Sequence, residues 1–206
     1  MHTVSVGNLT PLRSDLELLE AWRGGDLPAG DELVARYWAA IARFFRSKIG
    51  DDGADLISQT FLACVEHRDA IEGDTIRAYR FGVARRRLAD HFRRTARAPV
   101  VDLEQSSLAA LATGPATQLS RRRRGELLRE GLELIPLDDQ IALELAYFED
   151  LSVREIAGVL EINENTVRSR LSRARDKLRA ALAELAPAAE AERAAAQLAK
   201  NASDLT

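Results

Sequence analysis

Residues 151–182 read LSVREIAGVLEINENTVRSRLSRARDKLRAAL. Ser152 followed three residues later by Glu155 is a capping box, in which each side chain satisfies a backbone N–H otherwise unpaired at a helix start. A short helix is therefore expected from there, with Ile156, Val159 and Leu160 on its buried side. Ala157 is small enough for a second helix to approach, and Ile162 is placed to fill the corner after the turn. Asn163 is a favourable N-cap for the next helix, where Val167, Leu171, Ala174 and Leu178 recur at steps of four, three and four and should face a core. Arg168, Ser169, Ser172 and Arg173 are left facing outward. The pattern is that of a helix-turn-helix, whose second helix enters the DNA major groove with its N-terminal side chains toward base edges and its arginines toward phosphate. Asn165 and Thr166, at the start of that helix, join the outward four as candidate DNA contacts. Arg168 is the candidate base reader, because a guanidinium bonds guanine through two hydrogen bonds. Glu161 stands at the turn where glycine is expected, and a left-handed conformation there costs a residue with a Cβ roughly 1–2 kcal/mol. An ordinary helical hairpin with a solvated arginine face is the competing reading, but it needs no such combination of capping box, small residue, apolar plug and basic face.

Upstream of this motif the periodicity is also helical. Ser14 and Asp15 can cap a helix carrying Leu16, Leu19 and Trp22, which Gly24 and Gly25 end. Asp31 is expected to open a second helix with Leu33, Tyr37, Ile41, Phe44 and Phe45 on its apolar stripe, stopping at Gly50–Gly53. A third, from about Ala54 to Glu66, places Ile57, Phe61, Cys64 and Val65 on one face. A fourth, from about Thr75 to Arg94, carries Tyr79, Val83, Leu88 and Phe92 among many arginines, with Tyr79 and Phe92 assigned to the apolar stripe. Four helices of this length form one bundle. Residues 98–120, with Pro99, Ser106, Ser107, Gly114 and Pro115, read as a flexible linker. Beyond it Leu127, Leu128, Leu132 and Ile135 precede Pro136, and Ile141, Leu145 and Phe148 follow. The fold class is all-α: a helix bundle over 1–97, a linker over 98–120, a helix-turn-helix domain over 121–182 and an Ala-rich extension over 183–206.

Composition bounds the function. A net charge of −3 is unusual for a nucleic-acid binder, but arginines concentrate at 77–97, 121–124 and 168–179, so local surfaces can hold phosphate. The single cysteine, Cys64, forbids an intramolecular disulfide and sits on an apolar face. His67 and His91 lack neighbouring ligands, so no metal is expected, and no cofactor either. No segment approaches the roughly 20 apolar residues of a membrane span, which together with the cysteine count points to the cytoplasm. A nucleophile with its base, a phosphate-cradling glycine loop and a metal cluster are all missing, so an enzyme is not expected.

Residues 155–178, EIAGVLEINENTVRSRLSRARDKL, resemble region four of bacterial RNA polymerase sigma factors, specifically the extracytoplasmic-function (ECF) group. DGADLISQTF (52–61) and YRFGVARRRLADHFRR (79–94) resemble the same family's region two, the second stretch being similar to its DNA-melting helix. The resemblance implies that region two docks on core RNA polymerase and captures the opened minus-ten element while region four reads the minus-thirty-five duplex. Carried over by position, Asp55, Ser58 and Gln59 would meet the polymerase. Arg85, Arg86, Arg93 and Arg94 would follow the promoter strand, and the loop of Arg68, Asp69, Ile71, Glu72 and Asp74 would border a flipped-base pocket. The chain departs from the family's usual residues at Ser58, Gln59, Arg86, Gln140, Glu161 and Asn165. An anti-sigma partner is implied by the resemblance alone. The alternative is a dimeric helix-turn-helix regulator with an N-terminal helical sensor domain. The tail after Pro187 can form a helix that docks a partner, or an unstructured end.

Overall fold

The computed structural model describes residues 13–72, 75–95 and 116–203, and every regular element among them is helical. The helices are α1 (Asp15–Arg23), α2 (Leu27–Ile49), α3 (Ala54–Glu66), α4 (Ile76–Thr95), α5 (Ala116–Glu133), α6 (Leu137–Tyr147), α7 (Val153–Leu160), α8 (Glu164–Leu185) and α9 (Ala188–Ser203). None is long and apolar enough to cross a membrane.

Local chemistry sets most of the boundaries. Ser14 caps α1 in a full capping box with Glu17. The second helix starts earlier than expected, at Leu27, because the Asp26 side chain accepts from Ala29 N–H and Pro28 sits in the first turn, where its missing N–H costs nothing. The chain leaves α2 through Gly50 at φ 60°. Gly30 allows α1 and α2 to touch, since a Cβ there would stand 2.5 Å from Trp22 Nε1. The expected linker also ends sooner: α5 begins at Ala116, directly after Pro115, with Ala, Gln, Leu and Arg supplying most of its first turns. Residues 96–115, which include the rest of that stretch, lie outside the described residues.

Three clusters form the core. Leu18, Leu19, Trp22, Ala29, Leu33, Ile71 and Ile76 close the N-terminal end. Leu18 replaces Leu16 in the α1 stripe, Leu16 being 45% exposed. Behind this cluster Arg80 lies buried with its guanidinium over the Tyr37 ring, while Tyr37 donates its hydroxyl to Asp15, so one knot ties α1, α2 and α4. At the other end Leu127, Leu128, Leu132, Leu143, Leu178 and Leu182 pack α5, α6 and α8 together, and α9 adds Ala191 and Ala194. The C-terminal extension is thus a helix docked on α5 and α8. Ala191 and Ala194 each bury a methyl-sized group, about 0.8 kcal/mol for each buried carbon against 1.5–3 for a leucine.

The third cluster joins the two halves. Phe44, Phe45, Phe81, Ala84 and Leu88 of α2 and α4 share it with Ile141, Leu145, Ile156, Val159, Leu160 and Val167 of α6 to α8. Phe44 and Phe81 meet edge to face at 5.8 Å. The apolar faces of the two expected helical domains meet in this cluster.

Candidate nucleic-acid interface

The helix-turn-helix is built as its caps dictate. Ser152 Oγ accepts from Glu155 N–H at 3.2 Å, and Glu155 Oε2 accepts from Ser152 N–H at 2.8 Å. Ile156, Val159, Leu160 and Val167 are buried, and Ile162 packs half-buried behind the turn. Glu161 takes the left-handed conformation, φ 58° and ψ 42°. Asn163 Oδ1 then accepts from both the backbone N–H of Thr166, at 2.8 Å, and its hydroxyl, at 2.9 Å.

The second helix, α8, turns Asn165, Arg168, Ser169, Ser172 and Arg173 to solvent. Thr166 differs: half-buried, it spends its hydroxyl on the Asn163 cap, so its side chain is a structural part of the helix start. Arg168 donates to Asn165 Oδ1 at 3.1 Å and to Glu164 Oε2 at 3.0 Å. Its fork is thereby held over the N-terminal turn, the part of a recognition helix nearest base edges. Exposed pairs of this kind are worth about 0–1 kcal/mol, so a base that offers two acceptors can displace them.

The basic helix α4 is placed differently. Arg93 pairs with Asp90 on its own helix and Arg94 donates to the Asp90 carbonyl at 3.3 Å, both arginines remaining exposed. Arg85 reaches Asp138 of α6 at 3.4 Å, and Arg86 reaches Glu161 at 3.2 Å. Phe92, expected in the apolar stripe, is 37% exposed, with the His91 ring edge-on to it at 5.7 Å. Tyr79 lies half-buried and lines an open cleft of about 690 Å³ between α4 and α7, together with Arg86 and Arg154.

The loop before α4 is pinned rather than open along its length. Arg23 donates to the carbonyls of Arg68, at 3.0 Å, Asp69, at 3.4 Å, and Ile71. Ile71 is 1% exposed and anchors the N-terminal core, so it cannot face a flipped base; an isolated apolar residue in a polar loop is better buried than solvated. Arg68, Asp69 and Glu72 remain at the surface, and Asp74 lies outside the described residues. Sequence reasoning missed Arg23 because its partners are 45 to 48 residues away.

On α3, Asp55 and Ser58 are exposed, and Gln59 is half-buried with its amide donated to Asp55 at 2.6 Å. The same helix exposes Leu62 and Val65, at 56% and 40%, although Val65 was expected in the core. Trp38 of α2, 47% exposed, stacks on Phe61 at 5.4 Å beside them. Solvent-facing leucine, valine and tryptophan in one neighbourhood mark an unpartnered apolar surface. The signal was present in the sequence, since Leu62 and Trp38 both fall off their helices' core stripes.

The family described as Sigma-70, region 4 matches residues 125–178, which span α5 to most of α8. The ECF RNA polymerase sigma factor SigM of Bacillus subtilis is 27% identical over 154 residues, covering 73% of this chain and 93% of its own. The ECF RNA polymerase sigma-E factor of Escherichia coli K12 is 28% identical over 177 residues, covering 80% and 92%. Among solved structures, CnrH in complex with the cytosolic domain of CnrY superposes with a TM-score of 0.60 at 26% identity, over 82% of this chain and 97% of that one. RpoE of Bartonella quintana, solved with the anti-sigma factor NepR, shares the fold with a TM-score of 0.61 at 20% identity, over 74% and 95%. With a region-four match over α5 to α8, the chain is similar to ECF RNA polymerase sigma factors that it matches along nearly their whole length.

Proposed function

We propose that this chain binds core RNA polymerase and directs it to specific promoters, acting in the cytoplasm and leaving bond formation to the polymerase. The observation that carries the reading is the solvent-facing α8 surface of Asn165, Arg168, Ser169, Ser172 and Arg173 on a capped helix-turn-helix. A second arginine-rich helix, α4, lies elsewhere on the same chain. One surface suits a duplex read through the major groove. The other suits a melted strand, held by arginine to phosphate and by stacking on unpaired bases at about 1–3 kcal/mol per base.

In this reading α1 to α4 form the polymerase-binding and strand-capturing domain, and α5 to α8 form the duplex-reading domain. Asp55, Ser58 and Gln59, extended by Leu62, Val65 and Trp38, form the polymerase contact, where burying apolar side chains supplies affinity and the polar ones supply register. Arg85, Arg86, Arg93 and Arg94 follow the promoter strand, with Arg68, Asp69 and Glu72 bordering the captured base. CnrH is bound by the cytosolic domain of CnrY, and an anti-sigma protein is the corresponding partner for this chain.

The test is transcription by core polymerase stripped of other sigma factors, with and without the purified chain, followed by mapping of transcript starts on a genomic library. Discrete starts that depend on the chain support the proposal. A chain that shifts DNA by itself yet leaves core polymerase inactive is instead a helix-turn-helix regulator.

A further inference from the structure

The N-terminal turn of α8 ties its polar side chains to one another. Asn163 Oδ1 takes both the N–H and the hydroxyl of Thr166, and Ser169 donates its hydroxyl to the Thr166 carbonyl at 3.0 Å, so both hydroxyl protons stay within the helix. Arg168 sends Nη1 to Asn165 Oδ1 at 3.1 Å and Nη2 to Glu164 Oε2 at 3.0 Å. Two acceptors from the preceding turn, three and four residues back, thus hold two different nitrogens of one guanidinium. That fixes the plane of the group as a single contact could not. Arg173, further along and also solvent-facing, has no ion pair among the described residues. The brace therefore singles out the arginine nearest the helix start.

A guanidinium carries five N–H groups. The brace uses one on each Nη, which leaves the second N–H of each and the Nε–H. Guanine needs two donors for its O6 and N7, so Arg168 can read a guanine with both contacts intact. A phosphate makes a different demand. To reach one, the long side chain must swing off the turn and away from both acceptors, and the exposed Glu164 carboxylate at the same end of the helix repels it. A braced arginine has also lost its freedom in the fold, before any base arrives. Asn165 is one of the positions at which this chain departs from the usual residues of the sigma factors it resembles, so half of the brace is a feature of this chain.

We propose that Glu164 and Asn165 are positioning residues for base reading, which hold the Arg168 guanidinium toward one guanine and away from the phosphates. The proposal rests on the assignment of Arg168 to a base made above. Both residues act through Arg168. Glu164 weakens attraction to DNA as a whole and sharpens the choice between sequences, because its charge opposes every duplex alike while the orientation it imposes is useful at one base pair. Asn165 supplies the second point that stops the guanidinium from turning about the Glu164 contact. Stability of the helix does not call for the pair. The contacts are solvent-exposed and the Asn163 cap is complete without them.

The experiment uses the full chain with core polymerase on a chain-dependent promoter. Complex formation is measured on duplexes that carry each of the four base pairs at every position of the upstream element, and Arg168→Ala identifies the position that Arg168 reads. At that position Glu164→Ala combined with Asn165→Ala is expected to lower the preference for guanine by roughly threefold to tenfold, while affinity for the other three duplexes holds or rises. Glu164→Gln keeps an acceptor and removes the charge. It should hold the preference within about twofold, raise affinity for every duplex, and steepen the fall of log affinity with log salt by up to about 0.9. Helical content and melting midpoint should match the parent chain. Equal weakening on all four duplexes by the double variant means a purely structural role and overturns the proposal. So does a preference that the double variant keeps and Arg168→Ala abolishes; the base assignment then stands without the brace. If Arg168→Ala leaves every preference intact, the brace falls with it, and the error lies in assigning Arg168 to a base.

Discussion

Helices α4 and α8 are both long, amphipathic and arginine-rich, yet the fold treats them in opposite ways. On α8 the apolar stripe runs from Val167 into Ala174 and Leu178, which are consumed by its own half, and the basic face points to solvent. On α4 the stripe of Phe81, Ala84 and Leu88 also meets α6 and α7 of the other half, and its Arg85 and Arg86 are drawn to that half's acids. Charge composition alone therefore does not say whether a basic helix is ready to bind. What decides is whether the neighbouring elements carry carboxylates at matching height.

The largest expected effect comes from the buried side of α8. Leu178→Ala removes a 1%-exposed side chain from the α5, α8 and α9 core and should cost about 2–5 kcal/mol of stability by chemical denaturation. If the halves share one core as described, a single transition should shift. If the α1 to α4 half melts at its former midpoint, the comparison between the helices is between independent domains. Next in size, Arg168→Ala should weaken promoter duplex binding by about 1–3 kcal/mol and relax preference at one base position, measured by competition with single-base variants. Retained preference would move Arg168 to the phosphates.

Smaller still, Arg93→Ala with Arg94→Ala should weaken single-strand binding regardless of sequence and reduce the slope of log affinity against log salt by about 0.7 per lost contact. An unaltered slope removes the exposed end of α4 from the nucleic-acid surface. The least perturbing probe is Cys64, 5% exposed, whose thiol burial pushes up to about 11. At pH 8 it should resist thiol reagents in the folded chain and react at once when the chain is unfolded. Fast labelling of the native chain would mean that the α1 to α4 bundle opens locally.

The reach of the sequence follows from the range of the forces involved. The helix-turn-helix was legible because Ser152, Glu155 and Asn163 act on backbone groups three residues away, and α3 because the turn residues before Ala54 are local as well. Periodicity also found the buried sides of α5, α6 and α8. It did not separate Leu16 from Leu18, or place Val65 and Phe92, since a stripe shows that a face is apolar but not how much of it finds a neighbour. Ile71 was misassigned because loop polarity hides one residue that reaches across to α1. The contacts of Arg77, Arg85 and Arg86 with the second half span 53 to 75 residues and leave no local trace. For the α4 arginines, the run itself was readable in the sequence, whereas their pairing with the second half was not.

The central claim is that one chain carries a duplex-reading surface and a strand-capturing surface that act together on the polymerase. Footprinting of a chain-dependent promoter in complex with core polymerase tests it most directly, with a nuclease for the duplex and permanganate for unpaired thymines. The account predicts, in the same complex, an upstream protected duplex that Arg168→Ala weakens and a melted segment nearer the start that Arg93→Ala with Arg94→Ala diminishes. Melting and protection that persist unchanged in both variants, or that form without the chain, would contradict it.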